Sequence, residues 1–313
     1  MLYQQTKTYL CPRSIAWIVR PASDRGTGVQ ILVGPLQNQF KTKSSSSGME
    51  NRTLDDIYDV NTISFLVLGG GNSKRLGREP KLQSFIRGEN LLLRVIERIN
   101  CEGPKFYTVA ILHEPSGKDI DILLKKFNFY EKYNLGRVIY SNNDADSKAY
   151  ALWEVTTNKI NTPLVAVLQG SVVYSKVLFS DFFKKLREFN QKKSDNCGGM
   201  IYLANNNMCT PTPTFKTKYE NETCQICLEE ICMEKTKSER QPVISVFDTK
   251  KLKALDNIPR NESEKERAGT TYLYDRFMKK GYRFCIIKSP YTIAHLNTPE
   301  SIDDVRRQLD NNY

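Results

Sequence analysis

Glycines and basic residues are concentrated in one short segment whose chemistry suits phosphate. Three glycines, Gly69 to Gly71, follow an apolar run, and Arg75 and Lys81 come soon after them. Backbone N–H groups in a glycine turn between a strand and a helix can converge on phosphate oxygens, and guanidinium and ammonium groups neutralise phosphate charge. The segment therefore predicts a binding site for a phosphate-bearing ligand. Its full sequence is Gly69-Gly70-Gly71-Asn72-Ser73-Lys74-Arg75-Leu76-Gly77-Arg78-Glu79-Pro80-Lys81.

Residue spacing excludes two common phosphate motifs. The P-loop has four residues between its first glycine and its Gly-Lys pair, whereas five residues separate Gly71 from Gly77 and Arg78 follows. The dinucleotide pattern G-x-G-x-x-G also fails, because Lys74 stands where its last glycine would be. The segment is neither of these two motifs.

The flanking elements would position this segment between a strand and a helix. The apolar run 63–68 predicts a buried strand, and 90–100 predicts a helix. From Asp59 onward, strand and helix patterns alternate, which predicts an α/β domain with a mainly parallel sheet and helices on both faces. This domain would occupy 61–313, with an irregular excursion at 205–240. Further strands are predicted at 106–112, 137–140, 164–168, 200–204, 243–247 and 283–287, and further helices at 119–127, 147–157, 179–189, 271–280 and from Pro299.

The pattern Gly-Gly-Gly-x-Ser-x-Arg-Leu-Gly-x-x-Pro-Lys resembles the signature loop of nucleotidyltransferases with a GT-A-like, Rossmann-like fold. A second segment supports the resemblance: a helix, a Lys280-Gly281 turn and a strand precede His295-Leu-Asn297-Thr-Pro-Glu. Together the matching segments span about 62–310. The molybdenum-cofactor guanylyltransferase branch is the most similar, followed by the methylerythritol-phosphate cytidylyltransferase and UDP-sugar pyrophosphorylase branches.

The resemblance implies transfer of a nucleoside monophosphate from an NTP to a phosphorylated small-molecule acceptor, such as a sugar phosphate, with release of pyrophosphate. It makes Arg75 and Lys81 the catalytic residues, with Mg²⁺ as the expected cofactor. Asn143 and Asp144 fall where the family contacts the base and ribose, although turn-forming Asn and Asp are equally expected there. The full set of implied nucleotide-binding residues is Leu68, Gly69, Gly70, Gly71, Asn72, Ser73, Asn143 and Asp144.

The sequence departs from the family at the metal position. After the strand at 164–168, the family carries an aspartate that binds Mg²⁺, but this chain has Ser171 after Gly170. In the closing motif, where the family offers an aspartate or an asparagine, it has His295, with Asn297 nearby. These four residues are assigned to the acceptor or metal position, and the metal ligands stay unknown, because Mg²⁺ prefers carboxylate oxygens.

Three explanations of this departure stay open. Another carboxylate could bind the metal, with Asp144 or Asp146 as candidates, or the triphosphate itself could hold the metal. The third explanation is that the protein binds a nucleotide without turning it over. The last defines an alternative function, a catalytically inactive subunit that binds a nucleotide or nucleotide sugar and regulates a partner. A third reading is a glycosyltransferase that would use Asp144-Ala-Asp146 as its metal motif.

Composition sets the class of partner. The chain has 46 Lys and Arg against 35 Asp and Glu, a net charge of +11 that favours polyanionic ligands such as NTPs. The basic residues are dispersed, so nucleic acid is not the expected partner. No apolar stretch approaches the roughly 20 residues that cross a bilayer, so no membrane partner is expected. Without an export signal, the eight cysteines are expected to be reduced thiols of a cytoplasmic protein.

Residues 1–60 lie outside the resemblance. The runs 15–19 and 29–33 could pair as a hairpin, and the Ser-rich stretch 41–48 is typical of a flexible linker. This extension is compatible with a disordered leader, an oligomerisation arm or a targeting segment, and a homo-oligomer stays open.

Four cysteines cluster in the expected excursion, and two interpretations compete. They could form a small zinc site, because the two-residue gap in Cys224-x-x-Cys227 is typical of a pair of zinc ligands. The favoured interpretation is an amphipathic helix in which cysteines serve as small apolar residues. The cluster comprises Cys209, Cys224, Cys227 and Cys232.

Overall fold

The structure is a computed structural model that separates into two units, Met1–Asn51 and Arg52–Tyr313. In the first unit, strand β1 (Tyr9–Leu10) pairs antiparallel with β2 (Ala16–Trp17). The predicted strand at 15–19 thus overlaps β2 but pairs with an earlier segment; the predicted strand at 29–33 and the Ser-rich stretch lie outside the described residues. The structure describes residues 9–10, 16–17, 61–69, 85–86, 89–100, 105–114, 116–140, 147–206, 211–219, 226–237, 240–260, 270–296 and 301–310.

The second unit alternates strands and helices over most of its length, and every strand and helix predicted for it outside 205–240 has a counterpart. None of the helices that the structure describes has the length and apolarity to cross a membrane. In chain order the elements are β3 (Ile63–Gly69), β4 (Phe85–Ile86), β5 (Glu89–Asn90), α1 (Leu91–Asn100), β6 (Thr108–His113), α2 (Ser116–Lys126), α3 (Phe129–Lys132), β7 (Leu135–Tyr140), α4 (Lys148–Lys159), β8 (Leu164–Gln169), β9 (Val172–Val173), α5 (Lys176–Lys192), β10 (Cys197–Asn206), β11 (Pro211–Tyr219), β12 (Ile226–Lys237), β13 (Arg240–Asp248), α6 (Thr249–Lys253), α7 (Thr270–Lys279), β14 (Arg283–His295) and α8 (Ser301–Asp310).

The main sheet has the strand order β11-β12-β14-β10-β13-β8-β3-β6-β7, with β9 attached to β14. The strands β8, β3, β6 and β7 are parallel neighbours, and β10 and β14 are also parallel to each other. β12 and β13 run against their neighbours. Seven of the nine strands in this order therefore point the same way, as predicted for a mainly parallel sheet, although four of the eight pairings are antiparallel. The carboxyl ends of β3, β8 and β14 face the same edge.

Helices cover both faces of the sheet, because the buried strands are apolar on both sides. In β3, Phe65 and Val67 belong to one core cluster and Leu66 belongs to the other. The helices α1, α2 and α5 pack in the first cluster, whereas α4, α6 and α7 pack in the second. The domain is an α/β fold with two cores, one on each face of a shared sheet.

The structure differs from the prediction in the range 205–240. The described part of that range forms the antiparallel pair β11 and β12, rather than an irregular excursion, and β12 continues the sheet by pairing with β14 at Ile226 and Cys227. The favoured helix across the cysteine cluster is wrong, because Cys227 and Cys232 lie in β12. A short apolar pattern does not separate helix from strand, and here pairing with β11 and β14 decides. Cys209 and Cys224 lie outside the described residues.

Candidate active site

The candidate site lies where the strand order reverses. The chain leaves β3 through α1 to reach β6 on one side, and it reaches β8, on the other side of β3, through α4. Because α1 and α4 pack on opposite faces, the carboxyl ends of β3 and β8 are where an open α/β sheet of this topology forms its ligand-binding crevice. The predicted phosphate-binding segment 69–81, called the glycine segment below, begins there, since β3 ends at Gly69.

The segment after β8 is held tightly against the end of β3. The strand register places Leu68 beside Gln169, and the Gly170 N–H donates to the Leu68 carbonyl at 2.8 Å. A Cβ at position 170 would lie 2.7 Å from Leu92 Cδ1 and 3.0 Å from the Leu68 oxygen. A side chain at position 170 would therefore force Leu92 and the end of β3 to shift.

Ser171 and His295 meet at this edge although 124 residues separate them. β9 pairs antiparallel with the end of β14, with Val172 opposite His295, and the Leu296 N–H donates to the Ser171 carbonyl at 2.9 Å. Ser171 Oγ lies 3.0 Å from His295 Nε2, within hydrogen-bond distance. Ser171 is buried and His295 is half-buried, so backbone pairing fixes the two side chains against each other.

A fully buried tyrosine supports the loop that carries Ser171. The Tyr174 hydroxyl accepts from the Gln169 N–H at 3.1 Å and donates to the Val243 carbonyl at 3.1 Å. The register of β8 and β13 ends with Leu168 beside Ile244, so this hydroxyl bridges the two strands where their own pairing stops. Burial raises the pKa of Tyr174, which keeps the hydroxyl protonated and able to donate.

The helix after the glycine segment also reaches this edge. Asn90 caps α1 by accepting from the Leu93 N–H at 3.2 Å. Leu91 packs with Val173 of β9 and with Ala294 of β14. The first turn of α1 is thus anchored beside the Ser171–His295 pair.

A second group of side chains lies at the carboxyl ends of β6 and β7. The rings of His113 and Tyr140 stack with centroids 5.5 Å apart. Tyr140 donates to Glu154 Oε2 at 2.5 Å, and Tyr150 donates to Glu154 Oε1 at 3.2 Å. Burial and the bond to Glu154 raise the pKa of Tyr140. None of these four residues was a candidate from the sequence, and the position of His113 at a strand end was the only available signal.

Several residues implied by the resemblance lie outside the described part of the chain. The structure places Leu68, Gly69, Gly170, Ser171 and His295 at one edge. The others stay predictions: Gly70, Gly71, Asn72, Ser73, Arg75, Lys81, Asn143, Asp144 and Asn297.

The Ser171–His295 pair does not fit the Mg²⁺ that the resemblance implies. Magnesium favours anionic oxygen ligands, whereas the pair offers a neutral hydroxyl and an imidazole that are bonded to each other. Within the described ranges, no group of three or more His, Cys, Asp or Glu side chains could hold a metal ion. The carboxylate ligands of the family are thus not reproduced at these two positions.

The arrangement of elements matches solved nucleotidyltransferase structures. An inositol-1-phosphate CTP transferase from T. maritima has a TM-score of 0.59 at 12% identity, covering 80% of this chain and 96% of its own. This chain shares the α/β fold of that enzyme. A UDP-glucose pyrophosphorylase complexed with UDP-glucose matches with a TM-score of 0.59 at 11% identity, covering 80% of this chain and all of its own.

A third structure, from Bacillus anthracis and provisionally assigned as a glucose-1-phosphate thymidylyltransferase, has a TM-score of 0.59 at 16% identity, covering 79% of this chain and 94% of its own. At the level of sequence, no family model and no curated protein matches this chain. At these identities the likeness establishes the fold, and the chemistry must be argued from the chain's own residues.

Proposed function

We propose that this protein transfers a nucleotidyl group from an NTP to a phosphorylated small-molecule acceptor and releases pyrophosphate. The observation that carries the proposal is the position of Gly69, the first residue of the glycine segment. It ends β3 at the crevice beside β8, where open α/β sheets bind their ligands. The neighbours with this fold include a CTP transferase and a pyrophosphorylase that holds UDP-glucose.

The proposed reaction needs positioning and charge compensation more than covalent catalysis. Backbone N–H groups from Gly70 to Ser73 would hold the triphosphate, with Arg75 on the β- and γ-phosphates and Lys81 at the α-phosphate. An acceptor phosphate oxygen attacks the α-phosphorus in line. The bond from that phosphorus to the bridging oxygen breaks, and the electron pair leaves with pyrophosphate.

The two ends of the crevice would hold the two substrates. The side of Gly170, Ser171, His295 and Asn297 is assigned to the acceptor and to the phosphates. The opposite side, near Asn143 and Asp144, is assigned to the base and ribose. The stacked His113 and Tyr140 rings end the neighbouring strands β6 and β7 and would border that second side.

The test is acceptor-dependent release of pyrophosphate. The four common NTPs are each incubated with a panel of sugar 1-phosphates, inositol phosphate and methylerythritol phosphate in the presence of Mg²⁺. At least one combination should release pyrophosphate, and Lys81→Ala should reduce the rate about a hundredfold, because it removes a charge that stabilises the transition state. Lys126→Ala, at an exposed position of α2, is the matched control and should retain the wild-type rate.

A second candidate is a nucleotide-binding subunit without turnover. The observation that favours it is the Ser171–His295 hydrogen bond at the position of the family's metal ligands. This candidate predicts tight NTP binding without pyrophosphate release on any acceptor. The variant Ser171→Asp separates the two: a gain of activity indicates a decayed site, whereas a loss of wild-type activity indicates a serine adapted to its task.

A further inference from the structure

We infer that the Ser171–His295 pair makes this edge of the sheet a metal-free phosphate site: a phosphate oxygen of the nucleotide or acceptor is bound by hydrogen bonds, not through a divalent cation held by the protein. The inference rests on the proposed function for the identity of the ligand. It departs from the metal chemistry that the resemblance implies for these two positions.

The first argument concerns the imidazole nitrogen that faces Ser171. At 3.0 Å from Ser171 Oγ, Nε2 of His295 either carries a proton and donates, or accepts the serine proton on its lone pair. A metal ion bound at Nε2 requires that lone pair to be free. In both tautomers it is engaged, so a metal at Nε2 would first have to break the Ser171–His295 bond.

The second argument concerns how firmly the pair is held. The β9–β14 pairing and the bond from the Leu296 N–H to the Ser171 carbonyl fix both backbones. Behind them, the Tyr174 hydroxyl joins the Gln169 N–H to the Val243 carbonyl. The pair directly connects the end of β14 to the loop after β8.

The third argument is the charge that the pair presents. Carboxylates at this edge would repel phosphate unless a cation lay between them, whereas a hydroxyl and an imidazole need no such cation. When Nε2–H donates to Ser171, the serine O–H is left to donate to an anionic oxygen, and a hydrogen bond to a charged oxygen is stronger than a neutral one. The net charge of +11 favours the same class of ligand.

The first experiment titrates the full chain with Mn²⁺ alone, followed by electron paramagnetic resonance. We expect no tightly bound Mn²⁺ in the wild type and a new site in the Ser171→Asp/His295→Asp double variant. Circular dichroism checks that the double variant is folded. The single variant His295→Asn is tested beside it in case the double variant does not fold. Stoichiometric Mn²⁺ on the wild type that Ser171→Ala removes would overturn the inference without any reference to nucleotides.

The second experiment measures binding of the four NTPs and of glucose 1-phosphate by calorimetry, in EDTA and in Mg²⁺. We expect binding to persist in EDTA, and Ser171→Ala to weaken it about tenfold, the size of one hydrogen bond to a charged group. The ligand whose affinity falls shows whether the pair binds a phosphate of the nucleotide or of the acceptor. Ser175→Ala, which removes another buried hydroxyl by uncapping α5, is the matched control and should leave affinity unchanged.

The outcomes separate the two proposals. Nucleotide binding that requires Mg²⁺, or binding in EDTA that Ser171→Ala leaves unchanged, refutes the metal-free site and leaves the proposed function standing. Failure of every ligand to bind under both conditions refutes the proposed function and the inference together.

Discussion

The buried hydroxyl of Tyr174 gives the sharpest quantitative test of the site architecture. Tyr174→Phe leaves the Gln169 N–H and the Val243 carbonyl without the partner that each contacts at 3.1 Å. The side chain is 1% exposed, so water cannot easily replace the hydroxyl. Buried groups without partners cost about 1–3 kcal/mol, and we expect a net loss of about 2 kcal/mol because phenylalanine has no hydroxyl to desolvate. For a domain of this size, that loss lowers Tm by about 4–8 °C.

The assay is urea unfolding and thermal melting of the variant beside a matched Tyr→Phe change. Tyr130→Phe removes a hydroxyl that donates to Asp121 at 2.7 Å, but Asp121 keeps its ion pairs with Arg137 and Lys125. That control should lose less stability than Tyr174→Phe. Equal stability of Tyr174→Phe and the wild type would refute the claim that this hydroxyl bridges the two strands.

Tyr174 is a positioning residue, so Tyr174→Phe should lose more activity than its loss of folded protein explains. Below the melting range of the variant, we expect kcat to fall several-fold with a smaller change in the KM for NTP, because the loop that carries Ser171 loses its support. Tyr130→Phe should leave both constants unchanged, since α3 lies outside the candidate site. Parallel losses in both variants would mean that stability alone is responsible.

Two further predictions concern packing and pH. Gly170→Ala should destabilise the domain by about 1–3 kcal/mol and abolish nucleotide binding, because its Cβ would meet Leu92 at 2.7 Å; calorimetric melting and nucleotide titration check this. Burial alone would raise the pKa of Asp121, but the bonds from Tyr130 and Lys125 and the charge of Arg137 hold it below its ordinary value. The stability it provides is therefore present above about pH 4 and is lost as pH falls through the lower folded pKa, so Asp121→Asn should destabilise at pH 7 and converge with the wild type in acid urea titrations.

Much of the α/β framework could be predicted because its buried strands have a distinctive composition. The run 164–168 is apolar at every position, as a parallel strand covered on both faces requires, and it forms β8. The glycine segment could be located after β3 for the same reason. Strong local patterns that agree with the tertiary fold are the part of a sequence that is easiest to interpret.

The length of β14 could not be predicted, although the site depends on it. The sequence predicted a strand at 283–287 only, and the Pro290 that follows is a residue that normally ends a strand. In the structure the pairing of β10 with β14 shifts between Leu203 and Asn205, and the chain continues beyond Pro290 to His295. That bulge accommodates Pro290 within β14, so the strand extends to His295 at the edge where Ser171 lies.

Long-range pairing accounts for the other differences. The sequence singled out Ser171 and His295 separately, as departures from metal positions, but their hydrogen bond depends on the β9–β14 pairing. Likewise, β12 is a strand because it has β11 and β14 as neighbours, and its own pattern did not distinguish it from a helix.

The most direct measurement is a crystal structure of the full chain with a non-hydrolysable NTP and no divalent metal. We predict that the triphosphate lies on the segment after Gly69, with Arg75 and Lys81 on its oxygens and a phosphate oxygen in contact with the Ser171–His295 pair. A nucleotide bound away from the crevice between β3 and β8, or Arg75 and Lys81 directed away from the phosphates, would contradict the central claim.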